Sequence, residues 1–151
     1  MNPLSNKRLT SYCELLSVLT LFAAIAYGLG FKIVNICYEM GKDDSPTFIW
    51  YALLEALEGY AIFFIGILTW VLARNVSKGR VFCRQNQRIL SAMGVSTMLS
   101  GVFINVTIHL SPLEVSTGTS ILLIIIGLVL YLIALLFEIG IRMQEEQELT
   151  V

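Results

Sequence analysis

Residues 48–73 read FIWYALLEALEGYAIFFIGILTWVLA, in which Glu55 and Glu58 are the only charged side chains. An α-helix needs about 20 predominantly apolar residues to cross the roughly 30 Å of hydrocarbon in a bilayer. This stretch therefore predicts a membrane-spanning helix. Trp50 and Trp70 lie twenty residues apart, about 30 Å along a helix, which places one tryptophan at each interface of the membrane.

Three further stretches meet the same criterion, at residues 15–36, 89–110 and 120–140. The segments between the four spans carry charges, glycine and proline, and they read CYEMGKDDSPT, RNVSKGRVFCRQNQR and SPLEVSTGT. Because these segments are short, consecutive helices are expected to be antiparallel neighbours. We expect an all-α fold: a compact integral membrane four-helix bundle forming a single domain over residues 1–151, with a short cytoplasmic tail at 141–151.

The composition argues against several classes of protein. The chain is 56% hydrophobic and only 14% charged, with a mean hydropathy of +0.77, whereas soluble domains are about 45–50% apolar and about 25% charged. A soluble domain of 151 residues leaves too much of its surface in water to conceal this apolar content. The composition therefore disfavours a soluble enzyme, a disordered regulator and a free nucleic-acid-binding protein.

Basic residues are concentrated on one side of the predicted four-span arrangement. Eight of the ten lie in the N-terminus, the central loop or the C-terminal tail: Lys7, Arg8, Arg74, Lys78, Arg80, Arg84, Arg88 and Arg142. Lysine and arginine in short loops mark the cytoplasmic side of a membrane protein. We expect a multi-pass protein of the cell membrane with both termini and the central loop in the cytoplasm.

Ionisable side chains within the spans form a candidate polar cluster. Glu55 and Glu58 share one face of the second helix, at a depth that allows either to pair with Lys32 of the first span. On the third helix a stripe of every fourth residue begins with Thr97 and Gly101 and continues with Asn105 and His109, which fall at a similar depth. Either the five residues pair with one another and determine which helices pack together, or they form a proton-linked, ion or small-ligand site.

No recognised catalytic or cofactor signature is present. The sequence has no P-loop, G-x-S-x-G, H-E-x-x-H or dinucleotide-binding fingerprint, and the single histidine and two glutamates have no established metal-ligand spacing. We expect no enzyme activity, no catalytic residues, no cofactor and no metal. An intramembrane hydrolase using Glu55 and Glu58 remains an alternative. Small residues of the spans are expected to pack helices closely, and these are Gly28, Gly30, Ala92, Ser96, Ser100 and Gly127.

Two segments on the expected cytoplasmic side are candidates for docking a partner. The central loop is basic, and its candidate residues are Lys78, Gly79, Arg80, Phe82, Arg84, Asn86 and Arg88. The tail is acidic and then largely apolar, with Glu145, Glu146, Glu148, Leu149, Thr150 and Val151. Arg142 is expected to pair with Glu138, one turn earlier. A free carboxyl terminus of this kind suits a groove that captures terminal carboxylates, or it is a frayed helix end.

Two motifs resemble those of a known family. The first is K-G-x-x-F-x-x-x-N-x-x-x-L, from Lys78 to Leu90, and the second is Phe137-x-x-Gly140 followed by the acidic run and Leu-Thr-Val. Both resemble the domain of unknown function 2975 family of small bacterial four-helix membrane proteins. In that family Ser or Thr commonly follows the phenylalanine, where this chain has Cys83, so capping of the third helix would fall to Asn86.

The resemblance implies a membrane partner for a transcription factor, because family members are often encoded beside a small Cro-type helix-turn-helix regulator. We therefore expect a non-enzymatic regulatory or interaction protein that docks a cytoplasmic protein, with the bilayer as its other partner and no direct contact with nucleic acid. The alternative is a small oligomeric transporter, channel or immunity-type protein that uses the Lys/Glu/His cluster as a polar path.

Overall fold

The computed structural model describes residues 3–42 and 46–149, and the side chains within 10–42 and 46–147. Its regular structure is helical throughout this part of the chain. Helix α1 continues into a π-helical segment and then into α2, and three further helices follow. The bounds are α1 Pro3–Ala23, the π segment Ala24–Phe31, α2 Lys32–Met40, α3 Phe48–Ser77, α4 Arg84–Leu110 and α5 Gly118–Leu149.

Four helices are long and apolar enough to cross a membrane: Thr10–Met40, Phe48–Ser77, Arg84–Leu110 and Gly118–Gln147. The prediction of an all-helical chain with four apolar helices is thereby confirmed. The first helix of this set comprises most of α1, the π segment and α2.

The helices extend further than the apolar stretches that predicted them. The loop expected at 74–88 shrinks to residues 78–83, and α5 runs through Leu149, so most of the expected tail at 141–151 is helical. Arginine, glutamine and glutamate are good helix formers, so a helix continues where the hydrophobic pattern stops. Hydropathy therefore located the spans and missed the helix ends.

The helices pack as an open row. In the described part of the chain, α1 and α2 contact α3, α3 contacts α4, and α4 makes its most extensive contact with α5. The first and last helices do not meet there, so the expected compact bundle is instead open along one side. An open row of apolar helices suits a bilayer, because lipid solvates apolar side chains and leaves no hydrophobic driving force to close the row.

Close backbone approaches hold neighbouring helices together. A methyl group added at Gly59 of α3 would lie 2.5 Å from the Gly28 carbonyl oxygen, and one added at Gly94 of α4 would lie 2.7 Å from the Tyr131 amide nitrogen of α5. Gly127 is equally close to α4. Only glycine permits such contact between backbones. Gly94 faces Tyr131 while Gly101, further along α4, faces Ser120, so α4 and α5 are antiparallel.

The packing predictions for the other small residues are corrected in part. Gly30 meets no atom of another helix within 4 Å, and Ala92 is exposed, while Ser100 is buried and Ser96 is half-buried. The buried face of α4 instead follows Leu90, Gly94, Thr97, Gly101 and Ile104. A row of small residues did not by itself reveal which helical face meets a neighbour.

Candidate functional sites

An ion-pair cluster joins the first membrane-length helix to the second. The Lys32 Nζ lies 2.8 Å from Glu55 Oε2 and 2.6 Å from Glu58 Oε2. The exposed fractions of the three side chains are 16%, 15% and 28%, respectively. The structure thus brings Lys32 together with both predicted glutamates, and we call these residues the charged triad.

The positions of the three residues on their helices, and a glycine beside them, bring the charged triad together. Lys32 is the first residue of α2, directly after the π-helical segment, and Glu55 and Glu58 lie almost one turn apart on α3. A methyl group at Gly59 would lie 3.2 Å from Lys32 Cγ. Glycine at this position therefore leaves room for the lysine stem between the helices.

The triad carries one more negative than positive formal charge. Two carboxylates share one ammonium group, and the Tyr51 side chain, one turn before Glu55, lies close enough to interact with it. Sequence reasoning missed Tyr51, although its spacing of four from Glu55 places it on the same helical face. Among the described residues, no group of three or more His, Cys, Asp and Glu side chains is arranged to hold a metal ion.

Asn105 and His109 make different contacts. The Asn105 Nδ2 donates a hydrogen bond to Ser120 Oγ at 3.2 Å, which links α4 to α5. His109 is exposed, and its Nδ1 lies 2.9 Å from the Asn105 carbonyl oxygen. The predicted stripe rotates about α4 as it advances, from buried Thr97 to exposed His109, so it does not present its polar side chains to one neighbour.

A buried asparagine organises the turn between α3 and α4. The Asn86 side chain has no exposed surface, and its Nδ2 donates to the carbonyl oxygens of Arg80 at 2.6 Å and Val81 at 2.9 Å. Its Oδ1 accepts a hydrogen bond from Asn75 Nδ2 at 2.8 Å. Gly79 has a φ of +77°, a conformation that favours glycine. Asn86 therefore binds the turn to both helices.

The structure gives Asn86 a different role from helix capping. Cys83 is the N-cap residue of α4 and makes no side-chain capping hydrogen bond. The amide oxygen of Asn86 that would accept from a free backbone N–H is instead bonded to Asn75. The start of α4 is thus held by the turn carbonyls that Asn86 binds.

The two sequence motifs meet in space. The Phe82 ring packs against the Phe137 ring with centroids 5.2 Å apart. A methyl group at Gly140 would lie 3.2 Å from the Phe82 ring. The first motif supplies an aromatic side chain, and the second supplies the ring and the small residue that receive it, so the motifs form one structural unit.

Ion pairs continue this contact towards the end of α5. Arg84 Nη2 lies 3.0 Å from Glu145 Oε1, and the expected Arg142–Glu138 pair forms at 2.6 Å. Beside them is a cleft of about 330 Å³, which we call the α4–α5 cleft. It is lined by Arg84, Gln87, Arg88, Glu138, Ile141, Arg142 and Glu145.

The remaining loop and tail candidates lie in the turn between α3 and α4, near the end of α5, or beyond the described residues. Lys78 and Arg80 are exposed in the turn, and Glu146 is exposed on α5. Leu149 ends α5. The predicted tail residues Thr150 and Val151 lie outside the residues that the structure describes.

Comparison with known proteins identifies a family. No curated protein and no solved structure matches the chain. The family model described as "Protein of unknown function (DUF2975)" matches residues 33–151, which includes both glutamates of the charged triad and both motifs. The chain therefore belongs to the DUF2975 family.

Proposed function

We propose that this chain is a non-enzymatic integral membrane protein that docks a cytoplasmic protein at its basic end, meaning the end that carries the α3–α4 turn and the end of α5. A small helix-turn-helix regulator is the partner class we favour, because of the genetic neighbourhood implied by the family resemblance. The proposal places the basic end in the cytoplasm, in line with the distribution of lysine and arginine.

The observation that carries this proposal is the convergence of the two candidate segments. The basic start of α4 and the acidic end of α5 are far apart in sequence, yet Arg84 and Glu145 lie 3.0 Å apart. The cleft beside them presents three arginines and two glutamates. A cleft with both charge signs fixes the orientation of a partner that carries the complementary pattern.

Arg88 is the side chain best suited to meet that partner. It is exposed, lines the α4–α5 cleft, and has no ion pair among the described side chains. Arg84 and Arg142 are already paired with glutamates on α5. Arg88 is therefore the arginine of the cleft that we expect to form an ion pair with a carboxylate of the partner.

A pull-down in mild detergent from the native membrane tests the proposal. We compare the full chain, a chain lacking Leu149–Val151, Arg88→Glu, and Arg80→Glu as a matched charge reversal outside the cleft. We expect the full chain and Arg80→Glu to recover a small DNA-binding protein. Arg88→Glu should recover clearly less of it. Equal recovery with Arg80→Glu and Arg88→Glu contradicts docking at the cleft, and equal recovery without Leu149–Val151 contradicts a role for the tail end.

A second candidate function rests on the charged triad. Its side chains are no more than 28% exposed and carry unequal numbers of positive and negative charges, as expected for a group that takes up a proton or cation in a small oligomeric transporter, channel or immunity-type protein. Under this alternative, Glu58→Gln changes flux or resistance while the protein level stays normal. This alternative is contradicted if Glu58→Gln leaves the flux unchanged in vesicles that hold several copies of the chain and leaves resistance unchanged in cells.

A further inference from the structure

A second cleft at the basic end lies between α1 and α3. Its volume is about 510 Å³, within the size range of small-ligand pockets. It is distinct from the α4–α5 cleft and shares no residue with it. The lining residues are Glu14, Ser17, Val18, Trp70, Arg74, Ser77 and Lys78.

Two basic side chains supply hydrogen-bond donors on the α3 side of this cleft. Arg74 and Lys78 are four residues apart and share one side of the helix end. Both are exposed, and neither has an ion-pair partner among the side chains that the structure describes. A guanidinium and an ammonium group offer eight N–H donors in total, the donor chemistry that binds phosphate oxygens.

The rest of the cleft is suited to a lipid. The Arg74 guanidinium lies 5.5 Å from the centre of the Trp70 ring, which orients it at the level where tryptophans meet lipid headgroups. Val18 of α1 is 62% exposed on the opposite wall. The serine hydroxyls of the cleft already donate hydrogen bonds within their own helices. Ser17 Oγ donates to the Glu14 carbonyl oxygen, and Ser77 Oγ donates to the Arg74 carbonyl oxygen.

We propose that the cleft between α1 and α3 binds the phosphate headgroup of an anionic glycerophospholipid. Arg74 and Lys78 contact the phosphate, while Trp70 and Val18 contact the upper part of an acyl chain. Basic pockets between transmembrane helices at the membrane surface bind such headgroups. The Glu14 carboxylate on the α1 wall weakens the binding, because it repels the same headgroup.

Tryptophan quenching tests this proposal directly. The chain has two tryptophans, so Trp50→Phe leaves Trp70, within the cleft, as the only fluorophore. The full chain is reconstituted in phosphatidylcholine vesicles that contain a minor fraction of brominated phosphatidylglycerol or, in parallel, of brominated phosphatidylcholine. The fluorescence of each variant is normalised to its own signal without brominated lipid, because Arg74 lies over the Trp70 ring and affects its fluorescence. We expect stronger quenching by the phosphatidylglycerol.

Charge variants then locate the binding. Each basic side chain that contacts the headgroup contributes about fivefold to the affinity for anionic lipid, so Arg74→Gln/Lys78→Gln lowers the preference for phosphatidylglycerol over phosphatidylcholine by about 25-fold. Glu14→Gln raises it by about fivefold by the same reasoning. Arg80→Gln/Arg88→Gln removes the same charge outside the cleft and leaves the preference within about twofold, as expected for charges outside the contact.

Several outcomes overturn the proposal. Equal quenching by the two lipids does so. If Arg80→Gln/Arg88→Gln lowers the preference for phosphatidylglycerol as much as Arg74→Gln/Lys78→Gln does, the attraction is diffuse and there is no specific site. Displacement of phosphatidylglycerol by added inorganic phosphate assigns the cleft to free phosphate. If Arg74→Gln/Lys78→Gln loses its helical circular dichroism, Glu14→Gln decides: a raised preference supports the site, and an unchanged one refutes it.

Discussion

Replacing Asn86 by alanine should destabilise the basic end of the protein more than any exposed substitution nearby. The side chain is fully buried and makes three hydrogen bonds, two to turn carbonyls and one from Asn75. A hydrogen bond contributes about 1 kcal/mol net to stability, so the three together contribute about 3 kcal/mol. Arg80 and Val81 are exposed, so water can replace the lost donor at their carbonyl oxygens, and the expected loss is about 2–4 kcal/mol.

Two further substitutions divide that loss into its parts. Asn75→Ala removes only the bond to Asn86 Oδ1, so it should cost about 1 kcal/mol. Gln85→Ala is the matched control, because Gln85 is the preceding residue of α4 and is exposed. Its effect should stay within about 0.5 kcal/mol, the usual range for surface substitutions.

The assay is equilibrium unfolding in mixed micelles of mild detergent and dodecyl sulfate, followed by tryptophan fluorescence and far-ultraviolet circular dichroism. The expected order of stability is wild type, then Gln85→Ala, then Asn75→Ala, then Asn86→Ala. An Asn86→Ala protein as stable as Gln85→Ala would refute the reasoning that this asparagine holds the turn. Additive effects of Asn75→Ala and Asn86→Ala would show that the bond between them contributes nothing.

Three other predictions follow from the packing and use the same unfolding measurement. Lys32→Met leaves two partly buried carboxylates without their cation and should cost about 3–5 kcal/mol, whereas Glu58→Gln leaves one balanced pair and should cost far less; a reversed order would contradict the triad. Gly94→Ala should cost about 1–3 kcal/mol by overpacking against α5, while Gly30→Ala, whose methyl group would make only an ordinary contact at 3.7 Å with the Ile25 carbonyl oxygen, should be neutral or stabilising. Gly79→Ala forces a side chain into a positive φ and should cost about 1–2 kcal/mol; unchanged stability would show that the turn does not require this conformation.

The charged triad shows how far sequence reasoning reached. The depth of each ionisable residue within its span, counted at 1.5 Å per residue, was sufficient to predict that Lys32 can pair with Glu55 or with Glu58, and the structure places it beside both. Asn105 and His109 lie at a similar depth, and depth carries no information about which way a helix faces. Their actual contacts depend on the rotation of α4, which the packing of its glycines against α5 decides.

The sequence by itself determined that the chain forms four apolar helices of membrane length, because a continuous apolar run of that length with few charges is what a spanning helix requires. It also determined that neighbouring helices pair in order, since the connections are short. The tertiary structure alone decided that the row stays open, that Asn86 holds the turn, and that Phe82 meets Phe137. These depend on contacts between residues distant in sequence, whose geometry is set by backbone approach and helix rotation, and neither is visible in a hydrophobic pattern.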